Sequence, residues 1–154
     1  MRTIEKTIAG CLSGGDLPAV KVSDSVAHAI EVMKSTRAAA VVVLGQGTPA
    51  GIFTERDLLY RVAADSLLST TTRMEEVMTE NPQTLGPDDC VTYAVNRMAV
   101  GGYTNIPVVD GEGRAVGLLG VRDVLAHLSE VFDDLSAPDE PDVDMVDWID
   151  MGGG

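Results

Sequence analysis

Thr54 and Asp57 place a hydroxyl and a carboxylate three residues apart in the stretch Gly51-Ile52-Phe53-Thr54-Glu55-Arg56-Asp57. The apolar run Ala50 to Phe53 reads as a strand that feeds directly into a helix at Glu55, which puts Thr54 on the junction. The first amides of a helix have no internal partners and lie at the positive end of its dipole, so such a junction accepts a phosphate or a carboxylate. Asp57, one turn along on the same face, adds a charged acceptor for a second group of the same ligand. These residues also approximate a capping box, in which the hydroxyl and the acid serve only the backbone of their own helix.

The chain carries the pattern twice. Gly117-Leu118-Leu119-Gly120-Val121-Arg122-Asp123 repeats it, with Asp123 lying 66 residues after Asp57 and Gly120 standing where the first copy has Thr54. The elements that must position the two junctions repeat as well. Val26, Ala29, Ile30 and Met33 recur at helical spacing behind Ser23-Asp24-Ser25, and Val91, Ala94, Val95 and Met98 recur in the same way behind Asp88 and Asp89. Ala39 to Leu44 and Asn105 to Val109 are short apolar runs bounded by glycine turns, the reading of buried strands. Each copy therefore reads β-α-β-β-α. A unit of about 60 residues buries only about 60% of its unfolded surface, so the expected architecture is an α/β (α+β) tandem pair packed sheet to sheet with pseudo-two-fold symmetry. The copies are expected over residues 8–69 and 73–132, with junctions facing a shared cleft.

Around this frame, residues 3–12 read as a leading helix. The helix after Thr54 is expected to run to about Leu68, and Asn81 to Leu85 reads as extended chain. Residues 136–154 hold six of the 24 acids and no base, together with Pro138, Pro141 and a final Gly152-Gly153-Gly154, which is a disordered composition. Within them, Val143 to Asp150 mixes acids with Met145, Trp148 and Ile149, a segment with the means to dock on a partner or on the body.

Length and composition exclude several classes. A chain of 154 residues, 45% hydrophobic, supports one compact domain or two small lobes. The net charge of −13 argues against nucleic acid and anionic membranes as partners. No run reaches the roughly 18 apolar residues that span a bilayer, and Met1 to Lys6 lacks the apolar core of a signal peptide, so the expected location is cytoplasmic. Cys11 and Cys90 lack disulfide or metal-site spacing and read as reduced thiols in helices. His28 and His127 read as satisfied or solvated helical residues. With no metal cluster or activated nucleophile in view, no enzyme activity is expected.

On the two junction motifs, on Val77-Met78-Thr79 leading into the second copy, and on Ile106-Pro107-Val108-Val109-Asp110, the chain resembles a tandem pair of CBS domains, the modules named after cystathionine β-synthase. The resemblance covers about residues 8 to 132. It implies a disc-forming homodimer that binds an adenosine ligand between its sheets and reports to a separate effector protein. AMP, ADP or ATP is the implied regulatory ligand, with S-adenosylmethionine or NAD as other possibilities and no required cofactor. Carried over by position, Asp57 and Asp123 would bond ribose hydroxyls, Thr54 would contact a phosphate, and Thr84 would contact the nucleotide. Gly120 lacks the matching hydroxyl, so two unequal sites are expected, the fuller one at Thr54 and Asp57. Ala38, Ala39 and Ala40 in the first copy, with Asn105, Ile106 and Pro107 in the second, are candidate walls for the adenine; Arg56 and Arg122 could reach phosphates. The alternative is a ligand-free scaffold that dimerises and presents the acidic segment.

Overall fold

The computed structural model describes residues 6–136. The first copy is built from β1 (Ala19–Lys21), α2 (Val26–Thr36), β2 (Ala40–Gly45), β3 (Thr48–Thr54) and α3 (Glu55–Asp57), after a short leading α1 (Ile8–Cys11). The helix after Thr54 widens into a π-helical segment, Leu58–Ala63, where Ala64 N donates to Leu59 O and Leu67 N to Val62 O. It therefore stops short of the expected Leu68, and Ser66 at φ 54 turns the chain away. A second leading helix, α4 (Met74–Val77), follows. Then come β4 (Thr79–Glu80), α5 (Val91–Gly101), β5 (Asn105–Val109), β6 (Ala115–Gly120) and α6 (Val121–Ser136).

The first sheet has the order β1-β2-β3-β4, with β1 parallel to β2 and the other pairs antiparallel. The second is the antiparallel pair β5-β6. The strand expected at Asn81 to Leu85 shrinks to one bridge, Leu85 with Val108. The cause is local: Pro82 has no amide to donate, and Asn81 sits at φ 50, outside the extended region.

Local chemistry accounts for the elements. Ser25 caps α2 by accepting from His28 N at 3.2 Å, and Val26, Ala29 and Met33 form its buried face. The β-branched run Val41-Val42-Val43 is wholly buried in β2, as a strand covered on both faces should be. Gln46 and Gly47 both take positive φ in the β2-β3 turn, the geometry that suits a tight hairpin. On α5 the expected face holds at Val91 and Ala94, whereas Val95 points outward.

Two apolar cores result, one per copy, and each receives a helix from outside its own copy. Met74 and Val77 of α4 pack with Val26, Val41 and Phe53 of the first copy. Ile8 of α1 packs with Leu85, Ile106 and Leu119 of the second. This exchange of leading helices ties the copies together. The bridges Thr7 with Cys90 and Ser25 with Arg73 mark its two ends, and an Ala115 N to Gly47 O hydrogen bond of 3.4 Å links the sheets directly.

Candidate functional site

The first junction is closed upon itself. Thr54 Oγ1 accepts from Asp57 N at 3.2 Å, and Thr54 N donates to Asp57 Oδ2 at 3.0 Å. The other oxygen, Asp57 Oδ1, lies 3.6 Å from Arg61 Nε, so both ends of the carboxylate are engaged. Arg61 also donates from Nη1 to Val77 O and Met78 O, at 3.2 and 3.0 Å, and so holds the end of α4. β4 lies against β3 at Gly51 and Ile52 and covers the approach from that edge.

The second junction is open. Gly120 N donates to Asp123 Oδ2 at 2.8 Å, matching the first copy, but Asp123 Oδ1 has no hydrogen bond among the described residues. Gly120 offers the Asp123 amide no hydroxyl. The segment that corresponds to β4 is Ser13-Gly14-Gly15, which forms no strand and leaves the edge of β6 uncovered. A cleft of about 640 Å³ results, bounded by Leu12 to Pro18, the end of α2 and the residues after it from Ser35 to Ala39, Glu55, Thr104, Asn105, Val116 to Leu118 and Gly120 to Asp123. A β-carbon on Gly120 would meet Asn105 Oδ1 and Asp123 Oδ2 at ordinary contact distance, 3.5 Å, so packing does not require glycine there.

Of the residues expected to bind, Asp123, Gly120, Arg122 and Ala39 come together on this cleft, joined by Ala38 and Asn105 from the expected walls. Thr54, Asp57, Arg56 and Thr84 do not line it. Arg56 stacks over the ring of Tyr60, 5.4 Å from its centroid. Thr84 is half-buried, and its carbonyl accepts from Arg97 Nη1 at 2.9 Å. Ala40, Ile106 and Pro107 are buried in β2 and β5, paired with Thr54, Leu119 and Leu118, and do not line this cleft.

The sequence reading missed Arg37 and Asp16, which face the cleft from the end of α2 and from the loop after α1. Arg37 caps α2 in the left-handed conformation, φ 55, at the place where the second copy uses Gly102, φ 72. A non-glycine residue in that region is disfavoured by roughly 1–2 kcal/mol. The mismatch between arginine and glycine at equivalent positions was the available signal.

One histidine agrees with expectation and the other does not. His28 is exposed beside Asp24 and Glu31, but His127 is buried with Nδ1 unpartnered among the described residues. Cys90 precedes α5 as its cap residue and is not helical. Cys11 lies in α1 with its thiol pushed above its ordinary value of 9.0, chiefly by burial and further by Asp123 and Glu130, with Lys6 opposing. The described residues contain no group of three or more His, Cys, Asp or Glu able to hold a metal ion. No helix among them is long and apolar enough to cross a membrane.

Two β-rich halves with exchanged leading helices and a cleft at a strand-to-helix junction define a paired-repeat module of the CBS type. The CBS domain family model matches residues 12–64 and 74–130, and the chain belongs to that family. It is 34% identical over 111 residues to CBS domain-containing protein CBSCBSPB1 of Arabidopsis thaliana, covering 71% of this chain and 20% of the relative. The chain thus spans about a fifth of that relative's length. Among solved structures, a CBS domain protein from Pyrobaculum aerophilum complexed with AMP matches with TM-score 0.70 and 20% identity over 81% of this chain and 99% of the other. A CBS domain pair in complex with 5′-methylthioadenosine and S-adenosyl-L-methionine matches with TM-score 0.69 and 23% identity, over 82% and 99%.

Proposed function

We propose that this CBS pair is a regulatory module that binds an adenosine ligand and passes its occupancy to a separate effector protein, without catalysing a reaction. The carrying observation is the second junction, where an unengaged carboxylate oxygen of Asp123 sits on a cleft large enough for a nucleoside. Two adjacent ribose hydroxyls suit that acceptor, and hydrogen bonds to an ionised acceptor contribute about 1.5–3 kcal/mol each. The AMP, methylthioadenosine and S-adenosylmethionine named with similar folds support the ligand class. The exposed Leu125, Phe132 and Leu135 of α6 offer an apolar surface for a second copy, in keeping with a homodimer.

The test is a melting screen against AMP, ADP, ATP, NAD and S-adenosylmethionine. A ligand at one hundred times its dissociation constant stabilises the fold by about 2.7 kcal/mol, which is about 5 to 11 °C for a chain of this size. A melting temperature unmoved by every ligand counts against the reading. It would favour a ligand-free scaffold instead, a reading that draws on the self-capped Thr54 and Asp57. That scaffold also predicts that Asp123→Ala leaves partner binding unchanged.

A further inference from the structure

We propose that the second junction is the working half of the pair and that it selects adenosine ligands whose 5′ substituent is uncharged or cationic over those bearing di- or triphosphate. This rests on the adenosine-sensor reading and adds to it which half binds and what charge the ligand carries. The location follows from how the two junctions spend their groups. At the first, the hydroxyl that completes the motif accepts from the Asp57 amide, and the carboxylate accepts from Thr54 N and pairs with Arg61. At the second, the absent hydroxyl leaves the Asp123 amide uncapped by any side chain, and Asp123 Oδ1 is free among the described residues. The sequence motif that looks fuller is therefore the one with less to offer a ligand.

The charge preference follows from the cleft walls. Asp16, Glu55 and Asp123 line the cleft together with Arg37 and Arg122, so carboxylates outnumber guanidinium groups. Asp16, Glu55, Arg37 and Arg122 make no ion pair among the described residues, so each presents its full charge to a ligand. The backbone of Glu55 is fixed beside the cleft, since its amide donates to Ala39 O at 3.0 Å. The net charge of −13 adds a repulsive background for polyanions. A triphosphate would bring three or four negative charges to a site with no surplus of positive ones and no hydroxyl at Gly120 to receive them. A thioether nucleoside brings no charge, and S-adenosylmethionine, with a sulfonium and an ammonium against one carboxylate, is net cationic.

The test is isothermal titration of the full chain with 5′-methylthioadenosine, S-adenosylmethionine, AMP, ADP and ATP, without divalent cations and at fixed ionic strength. The expected result is that methylthioadenosine or S-adenosylmethionine binds most tightly. From AMP onward affinity should fall about threefold per added phosphate, the factor for one unit charge at roughly 6 Å in water. Affinity that stays level or rises from AMP to ATP overturns the charge preference while leaving the adenosine reading intact; absence of binding by all five removes that reading itself. Asp123→Asn should abolish binding and Asp57→Asn should change it less than twofold, and the reverse pattern overturns the assignment to the second junction. Glu55→Gln, an exposed and fold-neutral change, should narrow the AMP-to-ATP difference; an unchanged difference overturns the role of the cleft charge.

Discussion

Leu12 lies directly over the bare α-carbon of Gly117: a β-carbon there would stand 2.7 Å from Leu12 Cδ1. Met78 lies over Gly51 in the same relationship, with Sδ at 2.5 Å and the Thr79 carbonyl oxygen at 2.9 Å. Leu12 and Met78 each follow an exchanged leading helix, so the glycine that opens each junction motif is the seat on which the other copy's helix rests. The two seats differ in what blocks them. At Gly117 the obstruction is the far end of a flexible side chain, while at Gly51 it includes backbone. Overpacking costs typically 1–3 kcal/mol, so Gly51→Ala should lie near the top of that range and Gly117→Ala near the bottom. Adding Leu12→Ala should recover part of the Gly117→Ala loss. Urea unfolding of the three variants checks the order, and equal losses at the two glycines would contradict it.

Thr54 serves the helix that follows it. Thr54→Ala removes the Oγ1 acceptor from Asp57 N and should cost about 1 kcal/mol, the usual cost of a lost cap. Thermal melting would show a drop of about 2–4 °C. The response to any adenosine ligand should be unchanged, because Thr54 does not line the cleft. A variant that keeps its stability but loses its ligand response would show that the hydroxyl belongs to a binding site.

Much of this was legible in the residues. The period of 66 between Asp57 and Asp123, the apolar face of α2, that of α5 at Val91 and Ala94, and the buried Val41-Val42-Val43 follow from spacing, because they depend on contacts within one element or between equivalent elements. The state of the junctions was not legible. Thr-x-x-Asp reads the same whether it caps or binds, and only the distances to Asp57 N and Arg61 separate the two. The exchange of leading helices was also hidden, since Ile8 and Met74 look apolar whichever core receives them. The mismatch of Arg37 with Gly102 is visible in the residues, but that it ends α2 in the left-handed region and borders the cleft is not.

Arg37 separates stability from binding. Arg37→Gly relieves a left-handed arginine at the end of α2 and should leave the fold as stable or up to about 1 kcal/mol more stable. The same change removes one of two cations from the cleft. AMP affinity should therefore fall by about threefold or more while the melting temperature holds or rises. Parallel melting and titration of one variant read both quantities, and a destabilised variant would mean that the guanidinium has a packing role.

Arg61 and His127 occupy equivalent positions, 66 residues apart, with opposite consequences. Arg61 satisfies the last carbonyls of α4, so Arg61→Ala should cost about 1 kcal/mol, discounted for a half-exposed side chain. It should speed amide exchange across residues 74–80. His127 leaves a buried nitrogen without a partner among the described residues, and replacing such a group by an apolar one of similar size is neutral or stabilising. His127→Leu should thus leave the unfolding midpoint level or raise it. A large loss at His127 would mean that Nδ1 has a partner, such as an ordered water.

Cys11 makes stability fall on the alkaline side. Burial, followed by Asp123 and Glu130, holds its thiol protonated in the folded state above the ordinary value of 9.0, with Lys6 opposing. The folded value is the raised one, so the unfolded chain ionises first and releases its proton at lower pH. The contribution is therefore fully present below pH 9.0 and is lost as pH rises through the folded value. Cys11→Ala removes that dependence, although it also lowers stability at all pH values by shrinking a half-buried side chain that packs on the second core. Unfolding free energies of the two proteins from pH 7 upward should differ by a constant amount until about pH 9 and then converge. Curves that remain parallel to higher pH would show that the Cys11 thiol does not titrate differently in the folded and unfolded chains.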